Sequence, residues 1–316
     1  MAACLAAVLA CIACSADNSL MPDSGGRPYE VLVTGADSEA VALVAEALRQ
    51  VEMAGLPQHE PSFDVSTLVS SGLNQFTRYA RNIVMVATGI DTLNRPTLHY
   101  TKNAYARKQL LVQLRTRNTT QLRTYIKYNV RAMEQLLVTH ELNNGISTLR
   151  DKHNREAEQQ ARAMFGIRLW VPEDLTRWKR GHDFLWLSND AAQGMQNICV
   201  YKYAGHTYDK ATAVAKRDSV MKANLPGESA GSHVTTVDNS TSFHTWPANA
   251  QQGDAASTVL RGLWAMKGEP MGGPFVSRSM VRGDSTIVVE AFVYAPGMKK
   301  RNLIRRIEPS LYSMKE

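Results

Sequence analysis

The chain has 316 residues, of which 44% are hydrophobic and 21% charged, and its formal net charge is +7. This length is sufficient for two domains of usual size, and the composition is that of a globular protein. The basic residues are spread along the chain and no RNA- or DNA-binding motif is present, which argues against a nucleic-acid-binding protein. We interpret the excess charge as solvated surface.

The first fourteen residues, MAACLAAVLACIAC, contain no charge and no turn-forming residue. The run is too short to span a hydrocarbon core ~30 Å thick, but it has the length of a signal-peptide hydrophobic region. Small residues precede Cys11 and Cys14, and both sites resemble the bacterial lipobox, in which a peptidase cuts before a cysteine that carries lipid. Cys14 is the predicted lipidation site because polar residues follow it immediately, and Cys11 is the alternative.

We therefore expect residues 1–14 to be a lipoprotein signal peptide. The mature protein would then be an envelope lipoprotein of the inner or outer membrane, facing the periplasm or the cell surface. A signal peptide normally opens with Lys or Arg, and here none is present. The alternative is a cytosolic protein with an apolar N-terminal helix. Cys199, in an apolar run, is interpreted as a small buried hydrophobic residue.

The first half of the chain predicts an N-terminal α+β domain at residues 29–145, after a polar tether at residues 15–28. Ser38 is the expected cap of its first helix. The predicted elements are a strand at 29–34, a helix at 38–53, strands at 63–69, 82–87 and 110–114, a short helix near 74–80, an additional strand within 98–106, and a long helix from 119 or 120 to about 141, which the sequence 143–145 should stop.

The second half predicts a charged connecting helix at residues 146–166 and a C-terminal domain at residues 167–316. Pro309 should kink or end the final helix. The predicted elements are strands at 167–171, 183–188, 197–203, 233–237, 275–282 and 286–294, helices at 210–222 and 299–314, and a helix or turn at 255–266. The expected fold class is α+β, with two α/β sandwich domains and largely antiparallel sheets covered by helices.

Seven sequence segments occur together in one order along the chain: residues 26–33, 55–64, 183–189, 215–220, 271–276, 291–296 and 299–302. In this order they resemble an uncharacterised lipoprotein family of the Bacteroidota, classed as a domain of unknown function. The resemblance covers nearly the whole chain after the signal region. It implies a lipid anchor and an envelope location, and it implies no activity. The second half is also similar in element order to small α/β/α sandwiches of the PsbP and Mog1 type, which are mostly non-catalytic binding or assembly modules.

Two serines match nucleophile patterns. Ser229 lies in a Gly-x-Ser-x-Gly sequence, which in hydrolases forms a strained turn between a strand and a helix. Here a predicted helix precedes it, so a flexible loop is the favoured interpretation. Ser219 and Lys222 form a Ser-x-x-Lys pair whose usual partner motifs are missing. A serine hydrolase using Ser229 or Ser219 is therefore the alternative hypothesis rather than the leading one.

No metal or cofactor is expected from the sequence. The close His/carboxylate pairs, His59 with Glu60, His140 with Glu141 and His153 with Glu156, lack the spacing that places two ligands on one helix face, and solvated pairs are the default. All five tryptophans fall in the second half and could line a groove for a glycan or peptide. We expect core packing for Trp170 and Trp186, and exposed ligand contacts for Trp178 and Trp246.

The leading hypothesis is a non-catalytic, two-domain lipoprotein that binds an envelope protein or a cell-surface polymer. The membrane would be contacted through the N-terminal lipid, and nucleic acid is not an expected partner. A third hypothesis is binding of an anionic polymer through a basic cluster near the C-terminus, which comprises Lys299, Lys300, Arg301, Arg305 and Arg306.

Overall fold

The computed structural model describes residues 21–207, 209–246 and 256–316. The chain divides into two compact units, and neither is continuous in sequence. The first comprises residues up to Ala45 together with Val65–Tyr125, and the second comprises Glu46–Asp64 and Ile126–Glu316. Each unit is built on one β-sheet, and the expected mixed α+β class with two sheet-based domains is confirmed.

The first unit contains a five-stranded sheet with the strand order β2-β1-β3-β5-β4. Strand β3 pairs in parallel with both β1 and β5, and β4 pairs antiparallel with β5. Buried aliphatic side chains fill the two central strands, as is usual where parallel strands are covered. The strands are β1 Glu30–Gly35, β2 Asp64–Val69, β3 Asn82–Ala87, β4 Thr97–Lys102 and β5 Leu110–Arg115.

Helix α1 spans Ser38–Arg49, and its cap differs from the one expected. Asp37, and not Ser38, accepts hydrogen bonds from the backbone N–H groups of Glu39 and Ala40. The Thr88 hydroxyl also donates to Asp37, and these hydrogen bonds lower the pKa of the Asp37 carboxyl. A carboxylate at this position satisfies N–H groups that have no partner within the helix.

Helix α2 spans Thr119–Asp151 and passes through the residues that were predicted to stop it. The reason is a tertiary contact: a Cβ at Gly145 would lie 2.5 Å from the Pro309 ring, so glycine here permits close packing rather than a helix end. Helix α3 then spans Arg155–Phe165, capped by Asn154 and ended by Gly166 in the left-handed conformation. The predicted connecting helix at 146–166 is thus divided between α2 and α3.

The second unit contains an eight-stranded antiparallel sheet with the order β10-β11-β12-β13-β8-β7-β6, and β9 pairs with β11 beside this path. Helix α4 spans Lys210–Asn224 and precedes β9. The strands are β6 Arg177–Gly181, β7 Phe184–Ser188, β8 Met195–Ala204, β9 His233–Thr236, β10 Ser242–Trp246, β11 Ser257–Lys267, β12 Gly272–Arg282 and β13 Ser285–Tyr294.

Two predictions for this unit were wrong. Residues 255–266 were assigned to a helix or turn, but β11 occupies most of them and pairs on both sides. Residues 167–171 were assigned to a strand, yet they make only one bridge, between Arg168 and Lys315. Ile167, Leu169 and Val171 are fully buried there, so the alternation reflects core packing without strand pairing.

Helices cover both faces of the eight-stranded sheet. On one face α3, α5 (Arg301–Ile307) and α6 (Pro309–Tyr312) contact the strands, and Pro309 begins α6, consistent with the expected break. Leu187, Ile198 and Val289 belong to the apolar core on this side. On the other face α4 packs over a second core, which includes Phe184, Cys199, Tyr201, Phe275 and Phe292.

Candidate ligand-binding groove

A groove lies on the α4 face of the eight-stranded sheet, at the end of the face near the last turn of α4. Its volume is about 310 Å³, which is at the lower end of the range for small-molecule sites. Strands contribute one wall, and the chain that follows α4 contributes the other. The lining residues are mostly apolar or aromatic: Lys179, Trp186, Met195, Asn197, Asn224, Leu225, Pro226, Val234, Trp264, Met266, Met271, Phe292 and Tyr294.

Cross-strand register brings these residues together. Directly opposed residues in a sheet project from the same face, and Lys179 opposes Trp186 across β6 and β7. Asn197 of β8 opposes Phe292 of β13. Met195 and Tyr294 are likewise opposed, one step of the pleat further along the same two strands. The alternation of strand residues therefore builds one continuous lining from segments that are distant in sequence.

Trp264 forms the floor of the groove because β12 has glycine opposite it. Gly273 pairs with Trp264 in the sheet, and the Trp264 indole N–H donates to the Val293 carbonyl at 3.2 Å. The Trp264 and Phe292 rings meet edge to face with centroids 5.6 Å apart. A Cβ at Gly273 would overlap the same Val293 oxygen, so the absence of a side chain makes this arrangement possible.

Asn197 is the buried polar residue of the lining. The Trp186 indole N–H donates to its Oδ1 at 3.1 Å, which fixes the orientation of the amide. Its Nδ2 group has no hydrogen-bond partner among the described residues, although the side chain is only 1% exposed. An unsatisfied buried donor costs about 1–3 kcal/mol. An acceptor brought against Nδ2 by a small shift of the side chain would satisfy this donor.

Lys179 is the charged residue of the lining, and it lies exposed on the edge strand β6. Arg177 lies on the same face of the strand, but it pairs with Asp190 at 3.3 Å. No carboxylate belongs to the set of described residues that line the groove. The local charge of the groove is consequently positive.

A buried ion pair supports the sheet beneath α4. The Arg217 guanidinium contacts the Glu290 carboxylate through Nη2 at 2.8 Å and through Nε at 3.0 Å, and both side chains are essentially unexposed. Arg217 also donates to Thr236 and lies 3.9 Å from the centroid of the Phe275 ring. These contacts satisfy both charges and join α4, β9, β12 and β13.

The groups beside this pair are held neutral. Burial, reinforced by the Glu290 charge, raises the pKa of the Cys199 thiol and of the Tyr201 hydroxyl well above their ordinary values. A thiol acts as a nucleophile only as the thiolate. Cys199 is therefore an inert buried residue, and its fully buried position agrees with the sequence interpretation.

The structure places the two candidate nucleophilic serines on the surface. Ser229 lies in the exposed loop from α4 to β9, where its N–H donates to the Glu269 carboxylate at 2.9 Å. The order is helix, loop and strand, the reverse of the order that a nucleophile elbow requires. Ser219 and Lys222 are both exposed on α4. Neither serine lines the groove.

The structure places the described tryptophans as follows. Trp186 was expected in the core, and it packs against the core on the α4 side while also lining the groove. Trp178 is 41% exposed, and its indole N–H donates to Glu156 of α3 at 2.9 Å. Trp170 is partly buried, and the Arg168 guanidinium lies 4.4 Å from its ring. The side chain of Trp246, like Cys11 and Cys14, lies outside the described residues.

The C-terminal basic cluster does not form a cationic surface as hypothesised. The backbone N–H groups of Lys300 and Arg301 donate to the Glu60 carboxylate, and both residues are nearly unexposed. Arg305 is buried and paired with Glu308, which also pairs with Arg261. Arg306 pairs with Asp174, so Lys299 alone in the cluster is exposed without a described ion pair.

The histidines form pairs rather than a metal site. His59 is exposed and bonds to Glu52 at 2.7 Å, whereas His153 is buried and bonds to Glu158 at 2.9 Å instead of the predicted Glu156. Within the described ranges, no three His, Cys, Asp or Glu side chains are placed to hold a metal ion together. None of the described helices has the length and apolar character needed to cross a membrane.

These observations define a two-domain α+β protein with an apolar groove in its C-terminal sheet. The family described as "Domain of unknown function (DUF4837)" matches residues 154–313, half of the chain, and the chain belongs to this family. A second family, "Domain of unknown function (DUF8532)", matches residues 24–150. The search of curated proteins found no match.

A crystal structure of a protein from Bacteroides thetaiotaomicron VPI-5482, determined at 1.50 Å resolution, is similar to this chain at 11% sequence identity with a TM-score of 0.21. The alignment covers 47% of this chain and 44% of that protein. The chain therefore spans less than half the length of that structure.

Sequence reasoning missed Lys179, Asn197 and the three methionines of the groove. Met195 and Asn197 alternate with Gln196 and Ile198 along β8, and this period indicates that they share a face. The alternation does not reveal which strand lies alongside. The register between β8 and β13 was therefore needed before these residues could be recognised as one site.

Proposed function

We propose that this chain is a non-catalytic binding module of the bacterial cell envelope, anchored through lipid on Cys14, and that the groove takes a ligand with an apolar body. The observation that carries the proposal is the apolar groove with the buried Asn197 side chain, whose Nδ2 group has no hydrogen-bond partner among the described residues. A groove of this kind, with few polar groups among aromatic side chains, is the usual form of a small-molecule site.

The surroundings of the candidate nucleophiles favour binding over hydrolysis. Ser229 lies on an exposed loop of the wrong topological order, and the nearby His233 directs its Nδ1 at the Gly231 carbonyl. The resemblance to PsbP and Mog1-type modules, which act mostly by binding, is part of the proposal, and a sheet with helices on both faces is the arrangement that it requires. This similarity supports a binding role without assigning a ligand.

The anchor is tested by replacing Cys14 with serine. We expect Cys14→Ser to abolish incorporation of a labelled fatty acid when the full-length precursor is expressed in a bacterial host, because a hydroxyl cannot form the thioether. Cys11→Ser is the matched control and should label normally. Labelling that persists in Cys14→Ser and disappears in Cys11→Ser would move the anchor to Cys11. Labelling of both variants would contradict the proposal.

The groove is tested with a neutral dye that fluoresces in apolar surroundings, N-phenylnaphthylamine. We expect the protein to bind the dye, and Met266→Glu to weaken binding at least tenfold, because a carboxylate in an apolar groove is costly to desolvate. Met298→Glu makes the same change at an exposed methionine and should leave binding unchanged. Equal binding by both variants would place the dye elsewhere and contradict the groove as the site.

A further inference from the structure

We propose that the ligand of the groove is a fatty-acid-like molecule, a single apolar chain that ends in a carboxylate. This inference rests on the proposed binding function and names the chemistry of its ligand. It is carried by three properties of the lining: the polar groups still available, the position of the charge, and the distribution of apolar side chains across the sheet.

The available side-chain polar groups are mainly hydrogen-bond donors. Both indole N–H groups are engaged, Trp186 with Asn197 and Trp264 with Val293. Asn224 donates to the Val220 carbonyl, and its side-chain oxygen, beside Gly181, is the one amide acceptor that the described lining offers besides the engaged Asn197 oxygen. The Asn197 Nδ2 group and the Lys179 ammonium are the donors still available to a ligand, and the Tyr294 hydroxyl can donate or accept a hydrogen bond. A complementary ligand must therefore bring acceptors, and few of them.

The charge of the lining favours an anion. Lys179 has no ion-pair partner among the described residues, and no lining residue is acidic. A carboxylate is an acceptor with a negative charge, so it suits both the Lys179 ammonium and the donor character of the Asn197 amide. A phosphate carries more oxygens and more charge than these two groups satisfy, and a sugar would require many polar partners that the lining lacks.

The charged donor and two of the methionines of the lining lie on different strands of the sheet. Lys179 is on β6 and Asn197 is on β8, with the apolar Trp186 and Met195 beside them. Met266 is on β11, and Met271 follows in the turn that leads to β12. We call the part of the groove at Met266 and Met271 its apolar end. A ligand with its head group at Lys179 would direct its apolar part along Trp186 and Met195 toward this end.

The apolar end contains side chains that adapt their shape. Met266 and Met271 line it together with Leu225 and Pro226 from the chain after α4. Methionine has three rotatable bonds and a polarizable sulfur, so it accommodates flexible chains better than it selects a rigid ring. An extended alkyl chain fits this end of the groove more readily than a fused aromatic or steroid-like body.

The test compares four molecules with twelve-carbon chains, counting the carboxylate carbon of the first: laurate, dodecyl phosphate, dodecanol and dodecylamine. Each displaces N-phenylnaphthylamine from the purified protein, below its critical micelle concentration and at constant salt. We expect laurate to bind at least tenfold more tightly than dodecanol and more tightly than dodecyl phosphate, and dodecylamine to bind most weakly. Equal binding of laurate and dodecanol, or tighter binding of the phosphate, would overturn the carboxylate assignment.

Substitution of Lys179 locates the head group. Lys179→Glu is an exposed change on an edge strand, and it should remove the preference for laurate over dodecanol while leaving dodecanol binding intact. Lys222→Glu makes the same change on the exposed surface of α4 and should preserve the preference. If Lys179→Glu still bound laurate more tightly than dodecanol by the same factor, the inference would be wrong.

The outcomes separate this inference from the proposed function. If dodecanol and the dye bind and laurate has no advantage, the groove binds apolar ligands and the head-group assignment is wrong. If neither the dye nor any of the four molecules binds, the binding function proposed for the groove fails as well.

Discussion

Replacement of Glu290 by alanine should destabilise the C-terminal unit by about 3–5 kcal/mol, the usual effect of removing one partner of a buried ion pair. The variant leaves the buried Arg217 guanidinium with only the longer contact to the partly exposed Asp218 carboxylate, at 3.4 Å. Part of the loss arises because Thr236 and the Phe275 ring cannot replace the lost charge. Urea denaturation monitored by tryptophan fluorescence measures the change.

A double replacement separates two contributions to the free energy of unfolding: the ion pair itself, and the cost of leaving one buried charge without a partner. Arg217→Met combined with Glu290→Leu removes both charges at similar volume, and we expect it to recover most of the lost stability. Glu173→Ala breaks the exposed pair with Lys152 and should change stability little. If Glu290→Ala behaved like Glu173→Ala, the ion pair would not hold α4 on the sheet.

Gly273→Ala should be the most damaging of the small changes in the groove, with a loss of about 3 kcal/mol, the upper part of the range for overpacked cores. The added methyl group would overlap the Val293 carbonyl oxygen, which is backbone and cannot rotate away. The same oxygen accepts the Trp264 indole hydrogen bond, so the floor of the groove should also shift. Thermal unfolding and the wavelength of tryptophan emission record the two effects.

Gly72→Ala supplies the matched control for this prediction. No heavy atom lies within 4 Å of a Cβ at Gly72, and its backbone is not in the left-handed region, so the same substitution should be tolerated. A Gly273→Ala variant with native stability and native dye binding would show that β12 and β13 can separate locally. It would also contradict the role assigned to Gly273 in holding Trp264.

The parts of the fold that local patterns describe were predicted from the sequence. Helix α4 and strands β3, β7 and β13 have simple apolar periodicity bounded by turn residues, and they lie within a few residues of the prediction. Strand β11 was missed because it is buried on both faces. Its nearly continuous apolar run cannot be told from a buried helix by periodicity alone.

Two further differences have long-range causes. The sequence at residues 143–145 is typical of a helix end, but close packing of Gly145 on Pro309 lets α2 continue. Strand β6 is polar because it pairs on one side only, and such an edge strand lacks the apolar alternation by which strands are recognised. Neither the packing of Gly145 on Pro309 nor the edge position of β6 can be recognised from the neighbouring residues in the sequence.

The candidate site was harder to predict than the fold. Sequence motifs led to Ser229 and Ser219, whose spacing is local, and the structure places both on the surface. The groove instead combines residues from Lys179 to Tyr294 through strand register and through the chain after α4. No short motif encodes such a set. The five tryptophans all lie in the half of the chain that forms the groove, and Trp186 and Trp264 line it.

Lys179 also affects solubility, because it lies on the exposed edge of the sheet. Among the strands that the structure describes, β6 has a neighbour on one side only, so one row of its backbone N–H and C=O groups lacks a strand partner there, and its side chains include Arg177, Lys179 and Arg180. Charges on an edge strand hinder the addition of a strand from another molecule, which is a common route to aggregation. Apolar substitutions at Lys179 would therefore reduce solubility as well as alter ligand preference. Variants of β6 made to study the ligand should keep a polar residue at position 179.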